Sequence, residues 1–172
     1  MANNNNTQSS IDEMATVNRK QIEHRAMWMA LIYDEMVKAG IDGEAIIRRA
    51  VKRCGQIHGK GIKERCGDPG SIEDFKKAFL NDVGMKTFEM CLVDGDASKE
   101  AASNKAALNI DFHYCALVSA WKKLGLDDKT CALLCDMAMD GDRSIAEVMG
   151  LQFDLGRTIA QVCPDCQLRF CK

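Results

Sequence analysis

The sequence predicts an α+β fold in which a small antiparallel sheet of about four strands is packed with helices and the N-terminal half is helical. Three observations predict it. Apolar residues recur at helical spacing from Ile11 to about Arg65, they alternate from Met85 to Val93, and two short apolar segments near the C-terminus flank a tight turn. The chain has 172 residues, 47% of them hydrophobic, so we expect a single domain over residues 11–172.

The N-terminal half is predicted to contain a tail and three helices. The tail includes four consecutive asparagines and has little to bury, so it should be disordered. A glycine ends the first helix, and side chains that accept backbone N–H groups begin the next two. The predicted elements are the tail over 1–10, a helix over 11–39 ended by Gly40, a helix from Asp42 to about Arg65, and a helix from Ser71 to Asn81.

The second helix carries an apolar stripe that includes Cys54 and His58. His58 is therefore either a site residue that reaches into a pocket or a buried imidazole bonded to a carbonyl, and the second interpretation is favoured. Gly55 and Gly59 on the same helix would allow another backbone to approach closely.

Two hairpins supply the predicted sheet. Alternation over 85–93 indicates a strand that pairs with residues 105–110 across the polar loop 94–104. A closing hairpin joins residues 151–162 to 167–171 through Cys163-Pro-Asp-Cys166.

Further helices are predicted between the hairpins, and they hold most of the chemically reactive side chains. Each is preceded by an aspartate that can accept backbone N–H groups. They are a helix over 114–124 capped by Asp111, a helix over 129–139 opened by Asp127 or Asp128, and a helix over 143–149 capped by Asp142 after a break at Asp140-Gly-Asp142.

Cys115 is the first candidate for a reactive group, because it falls in the first turn of its predicted helix. Free N–H groups and the positive end of the helix dipole favour a thiolate there, so a lowered pKa is expected. His113, two residues earlier, could accept a proton or provide a cation. The alternative is that Cys115 is an inert, small core residue.

Cys131 and Cys135 are four residues apart and share one face of the next helix. Asp136 lies roughly 100° further round the helix, so Cys135 and Asp136 could border one pocket. Ordinary core filling is the alternative for both cysteines.

Cys163 and Cys166 have the spacing of half a zinc knuckle, but a full site would need two more ligands. A redox pair or plain turn cysteines are the other interpretations. We expect no cofactor and a fold that is stable without metal; if a metal is bound, Cys163 and Cys166 are its predicted ligands.

Composition excludes several classes of protein. The net charge of −2 and a basic cluster explained by one solvated helix face argue against nucleic-acid binding. The nine cysteines are an odd number, no secretory signal is evident, and no apolar run approaches the ~18 residues that span a bilayer. Reduced thiols in the cytoplasm and no membrane partner are expected. Assembly into a homo-oligomer stays open.

Residues 105–172 contain a series of motifs: Asp111-Phe-His-Tyr-Cys115 through Trp121, Leu134-Cys135-Asp136, Gly141-Asp142-Arg143, Phe153-x-x-Gly156-x-Thr158, and Cys166-x-x-x-Phe170. Together these motifs resemble the L-2-amino-thiazoline-4-carboxylic acid hydrolase family. The match before residue 105 is loose. The Cys163-Pro-Asp-Cys166 turn departs from the family's usual polar residue.

The resemblance implies a hydrolase that opens the ring of a small cyclic amidine or thiazoline, converting 2-aminothiazoline-4-carboxylate to N-carbamoylcysteine. It implies a cysteine-based site with a small-molecule substrate. In that site Cys115 would attack or position water, His113 or Asp136 would move protons, Cys135 would support the site, and Arg143, Arg157 or His58 would bind substrate. A non-catalytic small-molecule- or metal-binding domain with a cysteine-lined pocket is the alternative.

Overall fold

The computed structural model describes residues 2–93 and 106–172, with side chains from Thr7 onward. Helices and a four-stranded antiparallel sheet make up this part of the chain, which confirms the predicted α+β class. The elements are α1 (Ala2–Lys38), α2 (Gly43–Arg65), α3 (Ile72–Phe79), α4 (Asp82–Phe88), β1 (Met90–Val93), β2 (Ala107–Phe112), α5 (Ala116–Lys123), α6 (Asp128–Ala138), α7 (Asp140–Met149), β3 (Gln152–Leu155), a 3₁₀ turn (Ile159–Gln161) and β4 (Cys166–Cys171).

The predicted helix caps are present at most positions. The Asp42 side chain accepts the Ala45 N–H at 3.0 Å, and the Asp127 side chain accepts the Thr130 N–H at 2.7 Å. Ser71 caps α3 in the same way. At the N-terminus the structure differs from the prediction, since α1 begins at Ala2 where a tail over 1–10 was expected.

The predicted strand over 85–93 is wrong in its first half. The Asn81 side chain accepts the Gly84 N–H at 2.8 Å and starts α4, which ends at Glu89 in a left-handed conformation with φ of 51°. Only Met90–Val93 continues as the strand β1. The Asn81 cap therefore stabilises a helix over residues whose apolar alternation alone predicts a strand.

The C-terminal part also needs corrections at helix starts. Asp111 lies in β2, so it does not cap the next helix, and Cys115 occupies that N-cap position. The break predicted at Asp140-Gly-Asp142 is absent because α7 starts at Asp140, which places Asp142 in its first turn.

The sheet has the order β1-β2-β4-β3. Strand β1 pairs with β2, and β3 pairs with β4, as both predicted hairpins require. The loop between β1 and β2 lies outside the described residues. The central pair sets Phe112 opposite Cys166 and Asp111 opposite Gln167, so the end of β2 lies beside the start of β4. This end of the sheet, which we call the edge, positions the candidate site.

Two apolar cores meet beside that edge. One lies between the sheet and the helices α2, α3 and α7, with Phe75, Ile110 and Phe170 fully buried. The other lies between α1, α5 and α6 around the buried Trp121, whose indole N–H donates to the Ala26 carbonyl at 2.9 Å. Ile159 of the 3₁₀ turn packs against both cores.

Helices α2 and α7 approach each other closely at Gly55 and Gly59, as the two glycines predicted. A Cβ atom at Gly55 would lie 2.3 Å from the Gly141 carbonyl oxygen, and one at Gly59 would lie 3.0 Å from the Val148 Cβ. The buried face of α2 therefore passes through these glycines. The predicted stripe through Cys54 and His58 is wrong, since both residues are exposed.

Candidate functional site

Cys115 lies at the N-terminus of α5, with φ of −130° and ψ of 109°, where β2 gives way to the helix. The predicted position in the first helical turn is therefore wrong by one residue, since the helix begins at Ala116. The side chain is half-buried and packs against the core around Trp121. The Val118 and Leu117 amides favour its thiolate, but desolvation by burial has the larger effect and raises the pKa of Cys115.

The expected lowering of the Cys115 pKa is therefore wrong. A helix N-terminus stabilises a thiolate most when water or a cation assists it. Here the surroundings are apolar, so the thiol stays protonated near neutral pH.

Three thiols lie near one another where the two cores adjoin, with Cys166 in the first core and Cys115 and Cys135 in the second. Cys135 on α6 and Cys166 on β4 each interact electrostatically with Cys115, and Cys135 interacts with Cys166. Burial raises the pKa of Cys135 to about 12 and the pKa of Cys166 to about 11. We call Cys115, Cys135 and Cys166 the thiol cluster.

The 3₁₀ turn supports the thiol cluster from its other side. Thr158 is buried, and its hydroxyl donates to the Gln161 side-chain oxygen at 3.3 Å and lies near enough to Cys135 to favour that thiolate. The Ile159 N–H donates to the Cys166 sulfur at 3.2 Å. Helix α6, which carries Cys135, packs against this turn. The cluster is thus fixed by three separate segments of the chain.

A charged pair lies next to the thiol cluster. The Arg157 guanidinium donates to both oxygens of Asp165, at 2.6 and 2.8 Å, and Asp165 is buried. Arg157 holds the pKa of Asp165 below its usual range, and His113 contributes to the same effect. His113 is exposed, and its backbone N–H donates to the Glu89 carbonyl. We call Arg157, Asp165 and His113 the polar rim.

Asp136 belongs to a different charged network. Its two oxygens accept from Arg48 and Arg143, each at 2.6 Å. Both arginines also pair with Asp140, at 3.2 and 2.7 Å. Burial opposes ionisation of Asp136, but the two arginines outweigh it and lower its pKa. Asp136 is therefore an ionised ion-pair partner, and Arg143 is already occupied by two carboxylates.

Two other candidates lie away from the thiol cluster. His58 is exposed on α2. Cys131 is fully buried in the core, where burial raises its pKa and its sulfur faces the Leu126 carbonyl at 3.8 Å. Core filling is the interpretation that fits Cys131.

The Cys163–Cys166 turn is split between two environments. Cys166 is buried in β4, whereas the Cys163 sulfur is partly exposed near the Gln161 carbonyl. Among residues 2–93 and 106–172, no group of three or more His, Cys, Asp or Glu side chains is arranged to hold a metal ion. The nine cysteines are free thiols.

One surface concavity lies apart from the thiol cluster. A broad, open concavity runs along the N-terminal part of α1 and includes none of the predicted site residues. It is lined by Gln8, Ser9, Asp12, Glu13, Thr16 and Val17. Within the described residues, no helix is long and apolar enough to cross a membrane.

Sequence reasoning placed Cys166 only in a metal or redox pair and did not connect it with Cys115. The alternation of buried residues in β4, at Cys166, Leu168 and Phe170, could have shown that it faces inward. The pairing of Arg157 with Asp165 had no local signal, because it depends on how the 3₁₀ turn folds back onto β4.

Comparisons with known proteins agree with this geometry at the level of family and fold. The family model described as L-2-amino-thiazoline-4-carboxylic acid hydrolase matches residues 19–170, which include the thiol cluster and the polar rim. No curated protein matches the chain significantly. A solved structure of trafficking protein particle complex subunit 3 from Naegleria fowleri, covalently bound to palmitic acid, is similar in fold with a TM-score of 0.50 and 11% identity, covering 86% of this chain and 95% of that one.

Proposed function

Because the chain belongs to the L-2-amino-thiazoline-4-carboxylic acid hydrolase family, we propose that it hydrolyses a small cyclic amidine or thiazoline at the thiol cluster. The observation that supports this proposal is that Cys115, at the start of α5, lies near enough to Cys135 and Cys166 to interact with both electrostatically. A ring-opening reaction needs an attacking group, a proton for the departing ring sulfur, and a cation for the substrate carboxylate.

Cys115 is the proposed nucleophile. Its raised pKa means that a proton must leave as the sulfur attacks, and the substrate's own amidine nitrogen can accept it. The sulfur bonds to the amidine carbon, and the bond between that carbon and the ring sulfur then breaks. The ring sulfur leaves as a thiol, taking the proton that an adduct nitrogen releases as its double bond to carbon re-forms. Water then adds to the same carbon, its bond to Cys115 breaks, and the carbamoyl product departs with the thiol restored.

The other groups are proposed to position the reactants. Cys135, with Thr158 beside it, would hold Cys115 in position. His113 is exposed two residues before Cys115 and would relay protons. Arg157 is the better candidate for the substrate carboxylate because its partner Asp165 directly precedes Cys166 of the thiol cluster, whereas Arg143 belongs to the separate network of Asp136 and Asp140. Substrate binding would then exchange one carboxylate partner of Arg157 for another.

The decisive test is turnover of 2-aminothiazoline-4-carboxylate by the purified protein, with N-carbamoylcysteine separated and quantified by chromatography. We expect Cys115→Ser to lower kcat at least ~100-fold, since a serine hydroxyl is a far weaker nucleophile without an adjacent base. Cys54→Ser, an exposed cysteine on α2, is the matched control and should keep full activity. Thermal unfolding of both variants would separate lost chemistry from lost folding. Wild-type turnover in Cys115→Ser would rule out a nucleophilic Cys115.

The competing proposal is a non-catalytic domain that binds a small molecule in a cysteine-lined pocket. It is favoured by the fold shared with a protein that is covalently bound to palmitic acid. Intact-mass analysis after incubation with a palmitoyl thioester tests it. An acyl adduct that neutral hydroxylamine removes, together with no turnover of the thiazoline, would favour this function over hydrolysis.

A further inference from the structure

The outward face of α1 carries a stripe of apolar side chains that the described residues leave uncovered. The opposite face, with Ala15, Ile22, Ala26 and Ala30, packs into the protein against α2, α4 and α5. The outward side chains are Met14 (48% exposed), Val17 (58%), Trp28 (62%), Leu31 (51%) and Ile32 (46%). A tryptophan with this exposure within an apolar stripe marks an interaction surface.

The spacing of the stripe is that of a coiled-coil seam. Positions 14, 17, 21, 24, 28 and 31 alternate in steps of three and four residues, which keeps one line of side chains facing a partner helix. Four of these six positions are apolar, and the two polar ones, Gln21 and His24, lie together in the middle. The partner is therefore expected to be a helix of similar length with a polar residue at its own centre.

We infer that this partner is a second copy of the chain, paired antiparallel through α1. In that arrangement the seam is complementary to itself: Met14 faces Leu31, and Val17 faces Trp28. The large Trp28 is thus set against the small Val17, the similarly sized Met14 and Leu31 face each other, and a two-fold axis repeats both pairs. Gln21 faces His24 in the central layer, where the amide can hydrogen-bond to the imidazole.

The polar layer fixes the direction and register of the pairing. A buried polar pair tolerates only a partner that satisfies it, and a shift along the seam would set Gln21 or His24 against an apolar side chain. The His24 and Trp28 rings are already in edge contact, with centroids 5.4 Å apart and an interplanar angle of 70°. This contact orders the two largest seam side chains before association, which reduces the entropy cost of binding.

The area of the stripe is close to what a stable dimer needs. Five apolar side chains that are each about half exposed leave roughly 400 Å² of surface on one copy. Two copies would bury about 800 Å² from these side chains, so the flanking polar side chains of α1 need to add only ~200 Å² to reach the ~1,000 Å² that a specific interface should exceed.

The test is the mass of the full-length protein in solution by sedimentation velocity at micromolar concentration. The wild type should sediment as a dimer, and Val17→Lys and Trp28→Glu should each be monomers because each buries an unpaired charge in the seam. Ile57→Glu, a 70% exposed apolar residue on α2, is the matched control and should remain dimeric. Circular dichroism of each variant checks that the fold is retained.

Mixing the variants tests the antiparallel register. When Val17→Lys is mixed with Trp28→Glu, a dimer should return, because the lysine of one copy faces the glutamate of the other. A mixture of Val17→Glu with Trp28→Glu should stay monomeric, since the two acidic groups repel. A monomeric wild type, a dimer insensitive to Trp28→Glu, or no recovery on mixing opposite charges would each overturn the inference.

Discussion

The reactivity of a thiol at a helix start depends on whether N–H groups or burial acts more strongly on its charge. At Cys115 burial is stronger and raises the pKa, as it does at Cys131, Cys135 and Cys166. The sequence could place Cys115 at the start of a helix because strand and helix patterns are local. It could not show the burial, which comes from α1, α6 and the 3₁₀ turn packing around it.

Alkylation by limiting iodoacetamide should therefore begin at the exposed Cys54 and Cys91. Cys115 and the fully buried thiols should react later, because only a small fraction is thiolate and access is limited. Peptide mass mapping of samples quenched over time gives the order. Labelling of Cys115 ahead of Cys54 near neutral pH would show that the N–H groups of α5 outweigh burial after all. Unfolding the protein first provides the control, since all nine cysteines should then react at similar rates.

At the scale of elements, the close contact between α2 and α7 depends on the lack of a Cβ atom at Gly55. Gly55→Ala would put a Cβ 2.3 Å from the Gly141 carbonyl oxygen and 2.8 Å from its Cα, and backbone atoms cannot move aside cheaply. We expect the free energy of unfolding to fall by about 3 kcal/mol. Denaturant unfolding followed by circular dichroism measures the change.

Gly61→Ala on the same helix is the matched control, because its Cβ would meet only the flexible end of Arg65 at 3.6 Å. This change should stabilise the protein by about 0.5 kcal/mol, since alanine is the better helix former. Equal effects of the two substitutions would contradict the close packing of α2 on α7. Gly55 and Gly59 correctly predicted a close helix contact from the sequence.

The alternation around Phe88 wrongly predicted a strand, because interactions that the alternation does not encode stabilise α4. They are the Asn81 cap and the hydrogen bonds from Arg19 to the Lys86 and Thr87 carbonyls.

Across the whole molecule, carboxylates respond to acid in two opposite ways. Glu23 accepts hydrogen bonds from Lys123, Ser119 and Tyr114, and these partners lower its pKa. Asp136 and Asp165 have lowered pKa values through their arginines. Such groups stabilise the fold above their unfolded pKa near 4, and this contribution is lost as the pH falls further. The protein should therefore unfold on acidification below about pH 4.

Asp142 acts in the opposite sense, because burial raises its pKa from 3.8 to about 6. The folded protein binds its proton more tightly than the unfolded chain, so this group favours folding below pH ~4 and loses that contribution as the pH rises through about 6. Asp142→Asn should consequently raise the free energy of unfolding at pH 7 by about 1 kcal/mol, after allowing for the lost attraction between its charge and the start of α7. The gain should vanish near pH 4, where the wild-type carboxyl is already neutral. Asp154→Asn, at an exposed carboxylate on β3, is the control and should change stability little at either pH. Urea unfolding at several pH values measures both differences, and a gain that stays constant from pH 4 to pH 7 would show that Asp142 does not titrate in this range.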